Sequence, residues 1–323
     1  MFIKAKTIDD LLHDVYTKCL KANGDIGTTR GKIRELCGVL IELSNPLARL
    51  SASEQRGKVF SCLGEFLWYL SKSNKLNPIS YYIKDYGKNS DDGKTIHGAY
   101  GPRFFNKDGI NQVENVIKAL TERPTSRKAV IQLFEAGDIT KKRNDVPCTC
   151  TLQFLIRDKK LNMHTYMRSN DVVLGLPHDI FSFTMIQEMI ANRLKVKVGT
   201  YKHSVGSLHL YEKDVNAAKA YLSEGYQSTK YVMPLMPTGN PWPSIEILLK
   251  AEKRIRNRYI VDVDKLKLPD YWSDIVRLLQ IYKLIRLKKE IKLKDLNKIM
   301  TIRNEMKSRF FYPFIDKHLG KNK

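Results

Sequence analysis

A chain of 323 residues has room for one large domain or two smaller ones, and 42% hydrophobic with 28% charged residues is the balance of a globular protein, not of a disordered or fibrous one. Its five cysteines are odd in number and scattered, which excludes a disulfide framework, and no apolar run is long enough to span a membrane. The net charge of +22 points to phosphate-bearing partners, whether nucleotides, nucleic acid or lipid surfaces.

The opening "MFIKAKTIDDLLHDVYTKCL" carries acids and no long apolar core, so it predicts an amphipathic helix and not a signal peptide; a cytoplasmic protein is expected. "IRELCGVLIELSNPLARL" (33–50) predicts a strand closed by the turn at Asn45–Pro46, and "KVFSCLGEFLWYLSKS" (58–73) a helix with Glu65 among its apolar residues. Residues 84–111, rich in Gly, Asp, Asn and Lys, predict loops. A helix over 111–122 leads to a strand over 128–134, and "TCTLQFLIRDKKLNMHTYMRSNDV" predicts a hairpin turning at Asp158–Lys160. A long helix over 178–194, a strand within 198–214 and a helix over 214–224 follow. Beyond the proline-rich link "MPLMPTGNPWP" (233–243) the chain becomes helical and basic, and residues 251–323 hold 20 Lys/Arg against 9 Asp/Glu. Ile275, Leu278, Leu279, Tyr282 and Ile285 recur at helical spacing, so one face packs while Lys and Arg face solvent. The organisation is α+β: one domain over residues 1–243, then a basic helical extension over residues 244–323.

Cys148 and Cys150 in "DVPCTCTLQF" lack the spacing or the second ligand pair of a metal clip, so no metal is expected. On a regular strand both would point to one face, leaving one free for chemistry while the other packs. Taken singly, a strand cysteine is most often a small buried hydrophobe, Glu65 an acid at a helix edge and His209 structural.

Together these residues form an ordered set. "MRSNDVVLGLPHDI" (167–180) joins an Arg–Ser pair to an Asp and a Gly-Leu-Pro turn ahead of a helix, and "KHSVGSLHLY" (202–211) places a Gly, a His and a Tyr in register. With "VPC" upstream, "GEFLWYL" (64–70), "TSRK" (125–128) and "YGPRF" (100–104), the chain resembles the thymidylate synthase family from about residue 24 to residue 232. The resemblance implies a mixed sheet with packed helices, a homodimer with shared active sites, and one-carbon transfer from 5,10-methylenetetrahydrofolate to C5 of a pyrimidine nucleoside monophosphate. It implies Cys148 as the nucleophile at C6, activated by nearby cations, with Cys150 packing and Glu65 organising proton transfers through water. Arg30, Arg168 and Ser169 would grip the phosphate, joined from the second subunit by Arg127 and Lys128. Asp171 would order the pyrimidine side, Gly175 of the "LGLP" turn would line the substrate site, and His209 and Tyr211 would bond the sugar hydroxyl.

The departures from the family carry information. Asp179 in "LPHDIFSF" stands where thymidylate synthases have Asn, as in the family's deoxycytidylate hydroxymethylase branch. An ionised carboxylate only accepts hydrogen bonds, which suits the exocyclic amine of cytosine and a protonated N3. "YYIKDYG" (81–87) offers none of the synthases' shielding tryptophans, so water could trap the intermediate as a hydroxymethyl group. Lys128 replaces an Arg, His178 a Phe and Ser207 an Asp, "PCT" lacks the usual histidine, and the C-terminal tail that closes over folate is not recognisable. A (deoxy)cytidylate 5-hydroxymethylase is the leading expectation, and a divergent thymidylate synthase acting on dUMP the runner-up. The basic extension suggests, separately, weak contact with nucleic acid, or a scaffold that binds without turnover.

Overall fold

The computed structural model describes residues 1–24, 26–286 and 291–319; Asp25 and the stretches 287–290 and 320–323 of the expected extension lie outside them. The chain opens with a short strand, β1 (Phe2–Ala5), where the sequence predicted helix from the start. Only from β1 does α1 (Ile8–Lys21) begin, because the Thr7 hydroxyl accepts the backbone N–H of Asp10 at 3.1 Å and Asp9 and Asp10 fill the first turn. β2 (Ile26–Thr28) and β3 (Gly31–Leu43) follow, then α2 (Val59–Leu70), which carries Glu65. The stretch predicted as loops contains a 3-10 turn at Lys84–Asn89 and α4 (Tyr100–Phe105), after the short α3 (Leu76–Ser80). α5 (Gln112–Glu122) and β4 (Val130–Gln132) match the predicted helix and strand.

β5 (Thr149–Arg157) and β6 (Lys160–Asp171) form the predicted hairpin, joined by Asp158 and Lys159 at φ 51° and 57°. Two successive left-handed residues match the right-handed twist of the flanking strands. α6 (Gly175–Arg193) crosses from β6 to the parallel β7 (Lys197–Tyr211). It is buried on nearly every side between the sheet and α2, hence its lack of a polar face. The sheet runs β1-β3-β7-β6-β5-β4, with β2 paired to β3. Its β6 alternates buried Leu161, Met163, Thr165 and Met167 with exposed Lys160, His164, Tyr166 and Arg168, so one face is core and the other open.

α7 (Val215–Ser223), α8 (Trp242–Arg256), α9 (Asp270–Ile285), α10 (Leu293–Glu305) and α11 (Tyr312–Leu319) complete the chain. α8 and α9 pack on α2, and the buried side chains of the C-terminal helices are continuous with the core around the sheet. Ile275, Leu278 and Leu279 are buried as their spacing predicted, but burial of α9 is continuous from Tyr271 to Leu279. It takes in Arg277, which is paired with Asp274 at 3.2 Å, while Lys253, Arg254, Lys292, Lys294 and Lys298 are exposed as expected. No helix among the described residues is long and apolar enough to cross a membrane.

Candidate active site

Cys148 sits one residue before β5, where the strand bulges between Thr149 and Thr151. The bulge leaves Cys150 as the extra residue, and its carbonyl accepts Leu133 N–H at 2.8 Å. Alternation along the strand is therefore interrupted at Cys150. Opposite the bulge, Arg168 donates through Nε to the Pro147 carbonyl at 3.0 Å and through Nη2 to the Val146 carbonyl at 2.9 Å. The same Nη2 lies 3.8 Å from Cys148 Sγ. Burial pushes the Cys148 thiol up to about 11, although Arg168 pulls it down. Nearby cations were expected to leave it below its ordinary value; desolvation outweighs them.

Around this sulfur the fold gathers residues from distant parts of the chain. Arg30, on the β2–β3 turn, donates to Asn89 Oδ1 at 2.9 Å and the Asn144 carbonyl at 3.1 Å. Its charge bears on Cys148, Asp145 and Tyr211. Tyr100 accepts from Thr149 N–H at 3.0 Å, fixing the backbone beside the cysteine. Glu65 on α2 is buried, accepts a hydrogen bond from Tyr86 Oη at 3.1 Å, and lies close enough to Asp179 to affect its protonation. Burial keeps Tyr86 protonated well above its ordinary range, so it remains a donor.

Asp179 lies in the second turn of α6, only 8% exposed, and its Oδ2 accepts Asn170 Nδ2 at 2.8 Å. Burial first and the Glu65 charge second hold its carboxyl well above the usual carboxylate range, against the pull of Asn170. Sequence suggested an ionised Asp179; its burial and the Glu65 charge favour the protonated form instead. Gly175 lets this approach happen, since a Cβ there would stand 2.8 Å from Asn170 Nδ2. Asp171 accepts Val173 N–H at 2.9 Å and Leu174 N–H at 3.2 Å, closing the turn into α6. It faces His209 across β6 and β7, and Ser169 faces Ser207 in the same pair of strands. His209 and Tyr211 meet edge to face, with ring centroids 5.0 Å apart. His178 is turned away: it bonds Leu174 O at 2.7 Å and Ser61 Oγ at 2.9 Å, tying α6 to α2.

Arg127 and Lys128 are not part of this cluster. They are exposed at the start of the edge strand β4, where Gln153 Nε2 donates to the Arg127 carbonyl at 2.9 Å. Gln153 is five residues along β5 from Cys148, roughly 16 Å at strand spacing. Asn170, Tyr86, Tyr100 and Asp145 are site residues that the sequence reading passed over, because each is an ordinary polar residue whose position only the fold supplies.

The thymidylate synthase family model matches residues 42–273, well over half of the chain. The chain belongs to the thymidylate synthase family. Among the relatives of this family, deoxyuridylate hydroxymethyltransferase of Bacillus phage SP01 is 32% identical over 222 residues, covering 64% of this chain and 58% of the phage protein. Thymidylate synthase of Buchnera aphidicola subsp. Baizongia pistaciae is 32% identical over 181 residues, 54% of this chain and 68% of that one. Thymidylate synthase of Mycoplasma genitalium is 31% identical over 124 residues, 38% and 43% of the respective chains. The chain thus spans 58% of the length of the phage relative, and the family match runs beyond α8 into the start of α9.

Proposed function

We propose that this chain transfers a one-carbon unit to C5 of a pyrimidine nucleoside monophosphate, and that its principal product is the 5-hydroxymethyl derivative of a cytidylate. The observation that carries the proposal is the convergence of Cys148, Arg168 at 3.8 Å from its sulfur, and the buried acid pair Glu65 and Asp179. Cys148 adds to C6 and pushes electron density to C5; Arg168 stabilises the charge that develops on sulfur. Arg168, Arg30 and Ser169 hold the phosphate, with Arg127 and Lys128 of a second copy completing the grip in a homodimer. The open sheet face, with Val130 and Tyr166 exposed, is where that second copy would seat. His209 and Tyr211 bond the sugar.

Asp179 pairs with the base. As a neutral acid it presents one donor and one acceptor, so it can give its proton to cytosine N3 while accepting from the exocyclic amine. 5,10-Methylenetetrahydrofolate supplies the carbon at the oxidation level of formaldehyde. Leu174, 56% exposed at the start of α6 beside the site, would give the folate's flat ring an apolar surface to lie on. Loss of the C5 proton to a base, with the folate amine leaving as tetrahydrofolate, would give an exocyclic methylene on C5; a water held by Glu65 and Tyr86 would then add its oxygen there and give a proton to Glu65. Cys148 then leaves C6 as the ring double bond returns.

One observation favours a second reading. The phage relative is a deoxyuridylate hydroxymethyltransferase, which points to a uridylate substrate. Tritium release from C5-labelled dCMP, CMP and dUMP tests the proposal. Release is expected to require methylenetetrahydrofolate and to vanish in Cys148→Ala; absence of release from all three nucleotides by the intact chain would sink it.

A further inference from the structure

Behind Asp179, away from Cys148, runs a line of buried polar side chains that the reaction does not touch. Asn170 on β6 gives its Nδ2 hydrogen to Asp179 Oδ2 at 2.8 Å, and its Oδ1 lies 3.1 Å from His203 Nε2 on β7. His203 Nδ1 in turn lies 2.7 Å from Tyr201 Oη. Asn170 is 3% exposed and His203 and Tyr201 are fully buried, so water cannot substitute for any link. Burial also pushes the His203 imidazole down to about 3 and Tyr201 far above its ordinary value, so both are neutral.

The polarity of this line is read from Asn170. With its Nδ2 on Asp179 and its Oδ1 facing Nε2, the neutral imidazole carries its hydrogen on Nε2 and accepts at Nδ1 from the Tyr201 hydroxyl. The three groups hold one another in this sense. The Asn170 amide is thereby fixed with its NH2 toward Asp179, and Oδ2 of Asp179 is held as an acceptor. The proton of the neutral acid is left to Oδ1.

We propose that Tyr201, His203 and Asn170 are positioning residues for base specificity: they set which oxygen of Asp179 donates and which accepts, and so which pyrimidine edge the site reads. This inference rests on the proposed nucleotide chemistry for its consequence but not for its geometry. Without the Tyr201 hydroxyl, His203 can take its hydrogen on Nδ1 and accept at Nε2. The Asn170 amide then turns over, and its oxygen faces Asp179 Oδ2, which must now carry the proton. The donor and acceptor presented to the base change places.

Two measurements test it. Nitrogen-15 NMR of the intact chain is expected to show His203 neutral and protonated on Nε2 across the neutral pH range; an Nδ1–H tautomer or an imidazolium would overturn the proposal even if no substrate were known. In Tyr201→Phe, the ratio of kcat/KM for dCMP over dUMP is expected to change at least about tenfold, the scale of one mispaired buried hydrogen bond. His203→Phe, which cannot pass on either polarity, is expected to flatten the same ratio. Loss of activity on both nucleotides by the same factor, or an unchanged ratio in both variants, would reduce these residues to core packing and overturn the proposal. Absence of turnover by the unmodified chain would refute the reaction alone, and the tautomer would still decide the relay.

Discussion

Asp179→Asn separates binding from proton transfer. Because Asn170 Nδ2 holds Asp179 Oδ2 at 2.8 Å as an acceptor, an amide at this position seats its oxygen there and its NH2 where the acid carries its proton. The donor–acceptor pattern shown to a resting nucleotide is unchanged, so KM for dCMP should move by no more than about threefold, less than one lost hydrogen bond. The transition state differs. Attack at C6 of cytosine builds basicity at N3, and an amide cannot deliver a proton to it; losing a positioned general acid lowers kcat by roughly 10²–10⁴-fold. Uracil presents the reverse pattern at N3–H and O4, so with the amide held by Asn170 turnover of dUMP should stay low. Steady-state kcat and KM on both nucleotides, with wild type and variant side by side, give the answer. An unchanged kcat on dCMP would refute the role of Asp179 as the acid. A large rise in KM with kcat intact would refute the orientation fixed by Asn170.

The same carboxyl predicts a pH dependence of stability. Its pKa in the folded chain is raised by burial above the unfolded value of about 3.9, so the native state binds more protons between the two. Its contribution is therefore full below the unfolded pKa and lost as pH rises through the folded one; Asp179→Asn should flatten that fall in thermal unfolding midpoints, and an unaltered slope would contradict the raised pKa. Arg49 and Glu188 form a fully buried pair at 2.5 Å, with Glu188 also accepting Met236 N–H at 2.8 Å. Arg49→Ala should cost about 3–5 kcal/mol in denaturant titration by leaving the carboxylate unpaired, and a loss under about 1 kcal/mol would show the pair to be dispensable. A Cβ at Gly64 would stand 2.1 Å from Tyr82 Cγ, and Tyr82 Oη bonds Glu252 of α8 at 2.9 Å while its ring stacks on Tyr282 of α9. Gly64→Ala should therefore both destabilise the fold by about 1–3 kcal/mol and lower kcat through the neighbouring Glu65, and full activity at normal stability would refute the contact.

Where local chemistry decides an element, the sequence revealed it. The alternation of "TLQFLIRDKKLNMHTYM" and its Asp158–Lys159 turn specify the β5–β6 hairpin without help from the rest of the chain. β1 was not visible, since four residues of a strand have no signal of their own until β3 pairs with them in parallel. The C-terminal helices were legible as helices with one packed face, but not the pairing of some of their arginines. Arg277, Arg286 and Arg303 read as surface charge in sequence; in the fold Arg277 is paired with Asp274, Arg286 stacks on Tyr81 at 3.8 Å and Arg303 bonds Asp316 at 2.7 Å. In the site, Cys148, Glu65, Arg168 and Asp179 could be picked out because their motifs are specific. Their protonation could not, because it depends on burial and on a neighbour such as Asn170 that no motif marks. The upward shift of Cys148 has the same origin: the sequence shows the cations but not the desolvation that opposes them.

Product analysis tests the central claim most directly. Mass spectrometry of dCMP, CMP and dUMP after incubation with methylenetetrahydrofolate should show a gain of one CH2O unit on a cytidylate, with tetrahydrofolate as the spent carrier. A gain of one CH2 unit on dUMP together with dihydrofolate would contradict the account, because hydride from the folate, and not oxygen from water, would then have been added to the methylene.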